Sequence, residues 1–492
     1  MVRTFPFTAL LCVALLGGCG SRDEGALDLA FVATPDSLFD DGLRLSEAAQ
    51  HMRAATSLGL VTRDAQGEII PGLADRWIVT EDGRSFIFRL RDGAWPDGSP
   101  LTAQSARQAL LAAMKALEGT SMELDLEPIE DVRAMAGRVV ELRLSGPFPT
   151  LLQLLAQPEL ALDPAAGAGD MTLDVQGATG TLALKSPATR GLPEEENWRD
   201  NVRELHVAAL SAPKALELFE RSGVDAVLGG RIDSLPLVDT GPLSRGTVRI
   251  DPTIGLFGIV ILRPNGPLAL QPLREAIAMA IDRPAVIASF GIGGWATTTR
   301  IVNPDLGDDP GFIAERWTGQ TLDDLRTEAR RRLATWRARQ TNAGDDTPIT
   351  LTLVIGPGPG YDIIYRELSA QLSQVGVGLE RVDEGEPADM ALVDRVARYA
   401  APRWFLNQFR CKIRPALCSE DVDYLIEIAV EEPDPTTRAT LMAEAEAELT
   451  MSNIYIPIAT PLRWSLIRGD VGGFVPNRWA FHPLPPMAQI TR

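Results

Sequence analysis

At 492 residues the chain is too long for one hydrophobic core, and its length predicts two or three domains. Its 66 acidic side chains outnumber 47 basic ones, for a net charge of -19; this excludes nucleic acid as a partner, because phosphate binding needs a basic surface. An apolar share of 45% and a charged share of 23% are ordinary for a soluble globular protein, and no run of eighteen apolar residues follows the first twenty, so no membrane-spanning helix is expected.

The amino terminus carries a basic Met1-Val2-Arg3 and then an apolar stretch of signal-peptide length up to Leu16. Leu16-Gly17-Gly18-Cys19 follows, which is similar to a bacterial lipobox and implies a lipidated Cys19 as first mature residue. An ordinary secretory signal that happens to contain Cys19 is the plainer alternative. Residues 1–18 are thus assigned to the signal and 19–27 to a polar tether. Cys12 leaves with the signal, so Cys411 and Cys418 remain, with six residues between them in an oxidising compartment, and a local disulfide is expected. The rival, a metal pair, would need more ligands than three scattered histidines supply.

In chain order, residues 27–34 alternate as a strand, and 86–90 form another before a turn-rich 91–98. Thr102 reads as the N-cap of a helix over 103–117. A strand is expected at 138–144, and an irregular surface excursion at 163–181, which is rich in Gly, Ala and Asp. Helix 214–222 precedes a short buried strand at 224–228. Residues 255–263 are a nearly continuous apolar run, the mark of a strand covered on both faces. Helix 273–282, strand 349–355, helix 361–375, strand 389–393 and an acidic helix at 435–450 complete the pattern. Alternation of this kind predicts an α/β protein with mixed sheets.

Several blocks together resemble the family 5 extracellular solute-binding proteins, the dipeptide- and oligopeptide-binding proteins of ABC importers. Pro71-Gly72-Leu73-Ala74-Asp75-Arg76-Trp77, the Asp82-Gly83 turn, Phe86 to Gly93, and Asp97-Gly98-Ser99-Pro100-Leu101-Thr102-Ala103 form the first block. Leu273 to Arg283, ending Ala280-Ile281-Asp282-Arg283, is the second. Ala388-Asp389-Met390-Ala391-Leu392, then Asp423 to Ile426 with Arg438, and Ile456-Pro457-Ile458 through Gly473-Phe474 continue it in order.

The resemblance implies a two-lobed, type II periplasmic-binding-protein-like fold with mixed sheets and an inserted subdomain in the first lobe. It places lobe I at 28–255, with the insertion at about 56–165, lobe II at 256–464 and a return to lobe I at 465–492. It further implies a monomer without cofactor that captures a small molecule or peptide between its lobes. That ligand would pass to ABC permease subunits in the inner membrane, with the lipid anchor holding the protein in the periplasm or cell envelope. An envelope lipoprotein that keeps the fold as a sensing or interaction module is the alternative. No Gly-x-Ser-x-Gly elbow, His-Glu-x-x-His or phosphate loop occurs, and no enzymatic activity or metal site is expected. The Gly-Pro alternation at 356–360 reads as a turn before a helix, and the paired acids Asp308 and Asp309 as a solvated loop.

One departure bears on the ligand. Counting on from Leu392, Pro402, Phe405 and Leu406 fall where the family has them. Arg398, however, stands where peptide binders of the family place the Asp that meets a free α-ammonium group, and Arg395 stands where they place a Trp. Asp394 is the candidate substitute for that carboxylate. Either Arg395, Arg398 and Arg403 form a cationic site for an oxyanion, or they are solvated or pair with the protein's own acids. Tyr399 and Trp404 are candidates to stack on ligand or to pack. Ser37 and Asp36, after the first strand, are further contact candidates, and Asn265 reads as hinge, cap or contact. Trp95 reads as structural.

Overall fold

The computed structural model describes residues 25–40, 42, 45–162, 167–239, 246–306, 311–340, 349–414 and 417–490. Cys19 with the signal, the Asp308–Asp309 pair and Pro415 lie outside the described residues.

Two mixed sheets organise the chain, one per lobe. The first has seven strands in the order Val248–Asp251, Arg463–Ile467, Ala226–Arg231, Ala26–Val32, Glu204–Leu210, Thr179–Leu184, Met171–Gln176. The second has five: Val377–Val382, Ile349–Val354, Met390–Val396, Gly255–Ile261, Tyr455–Ala459. The apolar run is the fully buried strand Gly255–Ile261, flanked antiparallel by Met390–Val396 and Tyr455–Ala459. Covering both faces leaves no position for a polar side chain, hence the unbroken pattern.

The chain crosses between the sheets at Asp251 to Gly255 and returns from Ala459 to Arg463. Gly255 sits at φ 152°, and a Cβ there would stand 2.0 Å from the Arg395 carbonyl oxygen. Only glycine admits that approach, so this crossing is welded to the strand that carries Asp394 and Arg395.

Between the first strand of lobe I and its later ones lies an inserted subdomain. It is a four-stranded antiparallel sheet, Ala74–Val79, Ser85–Leu90, Val139–Leu144, Ile129–Ala134, with helix Ala103–Ala116 beside it. Thr102 caps that helix as its sequence suggests: its hydroxyl accepts from the Ser105 amide at 3.1 Å, and Ser105 returns a bond to the Thr102 amide at 3.0 Å. Trp95 is structural, its indole N–H reaching Ser105 Oγ at 2.9 Å. The subdomain's core is continuous with lobe II. Phe88, Leu110 and Leu144 belong to the same buried cluster as Trp404, Phe405 and Met442.

One element corrects the sequence reading. Residues 171–184 are a β-hairpin, Met171–Gln176 paired with Thr179–Leu184, on the edge of the first sheet. Gly177 at φ 66° opens its two-residue turn. The glycine taken as a sign of irregularity supplies the positive φ that such a turn needs. The longer helices not anticipated are Glu47–Thr56, Leu322–Gln340 and Glu420–Glu431. Cys411 and Cys418 are bonded, with Cα atoms 5.0 Å apart. Among the described residues no helix is long and apolar enough to cross a membrane, and no cluster of three metal-ligating side chains occurs.

Candidate ligand-binding cleft

A cavity of about 690 Å³ opens between the lobes, within the 300–1,000 Å³ range of small-molecule sites. Helix Glu47–Thr56 and strand Ala226–Arg231 form one side with the inserted subdomain, and residues 394–413 of lobe II form the other. Its wall carries five cationic side chains, Arg63, Arg231, Arg395, Arg398 and Lys412, against the carboxylates of Glu47 and Asp394. Three of these cations are paired: Arg231 with Asp394, Arg398 with Glu159, and Lys412 with Glu123 and Glu127.

The floor is a chain of alternating charges. Arg463, buried on the strand returning to lobe I, donates to Asp394 Oδ1 at 2.7 Å and to Glu47 Oε1 at 2.9 Å. Arg231 meets the Asp394 carboxylate at 3.3 Å and its backbone carbonyl at 2.7 Å. Burial alone pushes the Asp394 carboxyl up, but Arg463 and Arg231 outweigh it and hold the group below the usual carboxylate range. Burial likewise opposes the charge of Arg231, and Asp394 and Glu47 overcome it. The Arg231 Nε is buried with no partner, while about a third of the side chain faces solvent.

Beside this floor Arg395 is exposed to the cleft, and its guanidinium donates to the Gln408 side-chain oxygen at 3.1 Å. No carboxylate forms an ion pair with it among the described residues. Desolvation by the cleft walls, then the like charges of Arg398 and Arg231, lower its pKa. Arg398 differs: it pairs with the fully buried Glu159 at 2.8 Å, across from lobe II to the inserted subdomain. Its carbonyl accepts from Gln157 Nε2 at 2.8 Å and Arg63 Nη2 at 3.0 Å, which fills both lone pairs.

At the rim, His51 is buried against Phe481, ring centroids 4.7 Å apart. Its Nδ1 donates to the Glu47 carbonyl at 2.6 Å and its Nε2 accepts from the His482 amide at 3.2 Å, so the network fixes a neutral tautomer. Burial lowers its pKa from 6.5 to about 4. Between those values the unfolded chain binds a proton that the folded chain refuses. Stability from this group is therefore complete above pH 6.5 and falls by about 3 kcal/mol as pH drops towards 4. Urea titrations of the wild type and His51→Gln at several pH values should show the slope through this window flattened in the variant. Parallel curves would assign the acid loss to other groups.

Residues 68–412 match the family model for the bacterial extracellular solute-binding proteins, family 5 Middle. The chain belongs to this family. It is a solute-binding family, not one of enzymes. The periplasmic oligopeptide-binding protein OppA of Salmonella typhimurium is 22% identical over 467 residues, 85% of this solute-binding protein and 83% of its relative. The structure of Haemophilus influenzae OppA in complex with RPPGFSPFR superposes with a TM-score of 0.80 at 16% identity, over 96% of this chain and 100% of that one. AgaA from A. tumefaciens R10 in complex with agropinic acid gives a TM-score of 0.72 at 17% identity, over 95% and 99%. These superpositions establish the two-lobed α/β fold with mixed sheets.

Measured against its own cleft, the solute-binding protein keeps some of the sequence candidates there and removes others. Asp394, Arg395, Arg398 and Trp404 line it. Asp394 is sequestered by two arginines, however, and does not present a free carboxylate for a ligand ammonium. Trp404 is nearly buried, edge-on to Phe405 with centroids 5.0 Å apart, and serves as packing wall. Tyr399 is a correction: it is fully buried and its hydroxyl donates to Asp125 Oδ1 at 2.7 Å, away from the cleft. The strand ends at Val396, and the bend that follows turns Tyr399 into the inserted subdomain while Arg398 stays at the cleft. Ser37 is another: it lies outside the cavity wall, its hydroxyl donating to the Thr34 carbonyl at 2.8 Å. Asp36 is exposed nearby, and Asn265 leads into a short turn at Gly266–Ala269. Arg403 turns to the carbonyls of Leu124 and Asp125 in the inserted subdomain. Sequence reasoning missed Glu47, Arg231 and Arg463. Only Glu47 had a local signal, Ser46 capping the helix it begins by accepting from the Ala49 amide at 3.0 Å.

Proposed function

We propose that this protein is the substrate-binding component of an ABC importer that captures an anionic, peptide-like solute and delivers it to permease subunits in the inner membrane. It acts as a monomer in the periplasm, tethered through lipid on Cys19, and lobe I, the inserted subdomain and lobe II are the bodies that close on the ligand. Family membership supports the transport role, and OppA and the murein peptide-binding protein MppA of Escherichia coli are among the relatives.

The observation that carries the anionic preference is Arg395, open to the cleft, facing like charges and, among the described residues, with its guanidinium bonded to a neutral amide and no carboxylate. A guanidinium in that setting suits a carboxylate bound through two parallel N–H donors. A free α-ammonium would meet arginines and find Asp394 already neutralised, which disfavours ordinary peptide amino termini.

Calorimetric titration of the mature protein with trialanine and with N-succinyl-trialanine separates the readings. The succinylated peptide should bind at least tenfold more tightly, and Arg395→Glu should weaken it about 30-fold or more, the range for removing one partner of a desolvated charge pair. Tighter binding of trialanine, or affinity for the succinyl peptide unchanged in Arg395→Glu, would overturn the anionic site and leave the transport role standing.

A further inference from the structure

A second cavity, about 370 Å³, shares no lining residue with the cleft. Its walls are apolar and come from both sides of the seam: Pro147 and Phe148 from the inserted subdomain, Val302, Val430 and Met442 from lobe II. Thr150 and Arg403 belong to this wall, but Arg403 spends its terminal nitrogens on the carbonyls of Asp125 and Leu124.

The charges narrow its chemistry. Glu446, the one carboxylate on the wall, is held by Arg300 through two bonds of 3.0 and 2.9 Å. Arg438 donates to the carbonyls of Glu432 and Pro433, at 2.8 and 3.4 Å, and makes no ion pair among the described residues. Arg403 lies over the Phe148 ring at 5.4 Å, joining a donor to the apolar wall. Unused polarity here is therefore cationic and donating, around a volume lined by rings and methyl groups.

The geometry points to a second ligand site, separate from the transport cleft, that takes a small amphipathic acid. Its acyl chain or aryl ring lies among Phe148, Val302 and Met442, and its carboxylate accepts from Arg438. Such a ligand touches both bodies only while they are docked, so it favours the closed arrangement and is linked positively to binding in the cleft.

Decanoate is a suitable probe, titrated calorimetrically into the full mature chain. The wild type should bind one decanoate saturably. Arg438→Gln should weaken it about tenfold, as expected for losing one charge-assisted bond, and Ala443→Trp, which fills the cavity, should abolish it with an unchanged circular-dichroism spectrum. If Ala443→Trp does not fold, Arg438→Gln alone decides. No saturable binding, or binding untouched by Arg438→Gln, would overturn the site. So would a loss caused by Arg395→Gln in place of Arg438→Gln, which would put the fatty acid in the cleft.

Discussion

Replacing Arg463 by leucine should destabilise the protein by about 3–5 kcal/mol, the usual cost of leaving a buried charge without its partner. Arg463 is nearly inaccessible and bonds two carboxylates, Glu47 and Asp394, that come from different lobes. Without it, Asp394 keeps Arg231 at 3.3 Å and the Tyr361 hydroxyl at 3.4 Å and remains buried, so much of the charge that now overcomes its desolvation is gone. The check is a double-mutant cycle by urea unfolding. Arg463→Leu with Asp394→Leu removes both charges, and an apolar pair of similar volume is often no worse than the ion pair it replaces. The double variant should therefore recover part of the single variant's loss. If the two losses simply add, the pair is not coupled and the floor of the cleft is held by packing alone.

This network also marks the limit of what the sequence discloses. Elements defined by local pattern were legible: the apolar run of Gly255–Ile261, the capped helix Ala103–Ala116, the helix at Pro435–Ser452. Helix Leu322–Gln340 escaped because only Leu325, Ala329 and Leu333 are buried, a stripe too narrow to stand out among its arginines and acids. Its acidic start and basic end, Asp323, Asp324, Arg337 and Arg339, do follow the helix dipole and were the available signal.

The cleft was legible only as a segment. Counting along residues 392–406 located the arginines, and nothing along the chain could assign their partners. Glu159 lies 239 positions from Arg398, and Asp394 is 163 from Arg231 and 69 from Arg463. Which arginine stays free depends on where a distant carboxylate comes to rest, and that is decided by the docking of lobes. The same holds for Tyr399: the sequence left it to stack on ligand or to pack, and nothing along the chain told that a buried carboxylate 274 positions away awaited it.

That carboxylate, Asp125, should control ligand affinity without touching ligand. It sits fully buried in the short helix Ser121–Leu126 of the inserted subdomain, and burial raises its pKa despite Arg403, Asn407 and Tyr399. Its Oδ1 accepts from Tyr399 Oη at 2.7 Å and Asn407 Nδ2 at 2.8 Å, both in lobe II. These bonds exist only while the subdomain and lobe II are docked. Asp125→Ala strands two buried donors, at roughly 1–3 kcal/mol each, and that cost falls on the closed state. An open state that rehydrates both donors escapes it. A shift of about 3 kcal/mol in the closing equilibrium lowers apparent affinity for the cleft ligand by up to about 150-fold, since ligand must first restore the competent form. The expected results are a larger radius of gyration by small-angle scattering without ligand, contraction on saturation, and weakened binding of N-succinyl-trialanine. Weakened binding with an unchanged radius would instead place the effect inside a closed cleft. Unchanged binding would mean that the shared apolar core, to which Trp404, Phe405, Phe88 and Leu110 all belong, suffices to hold the lobes together.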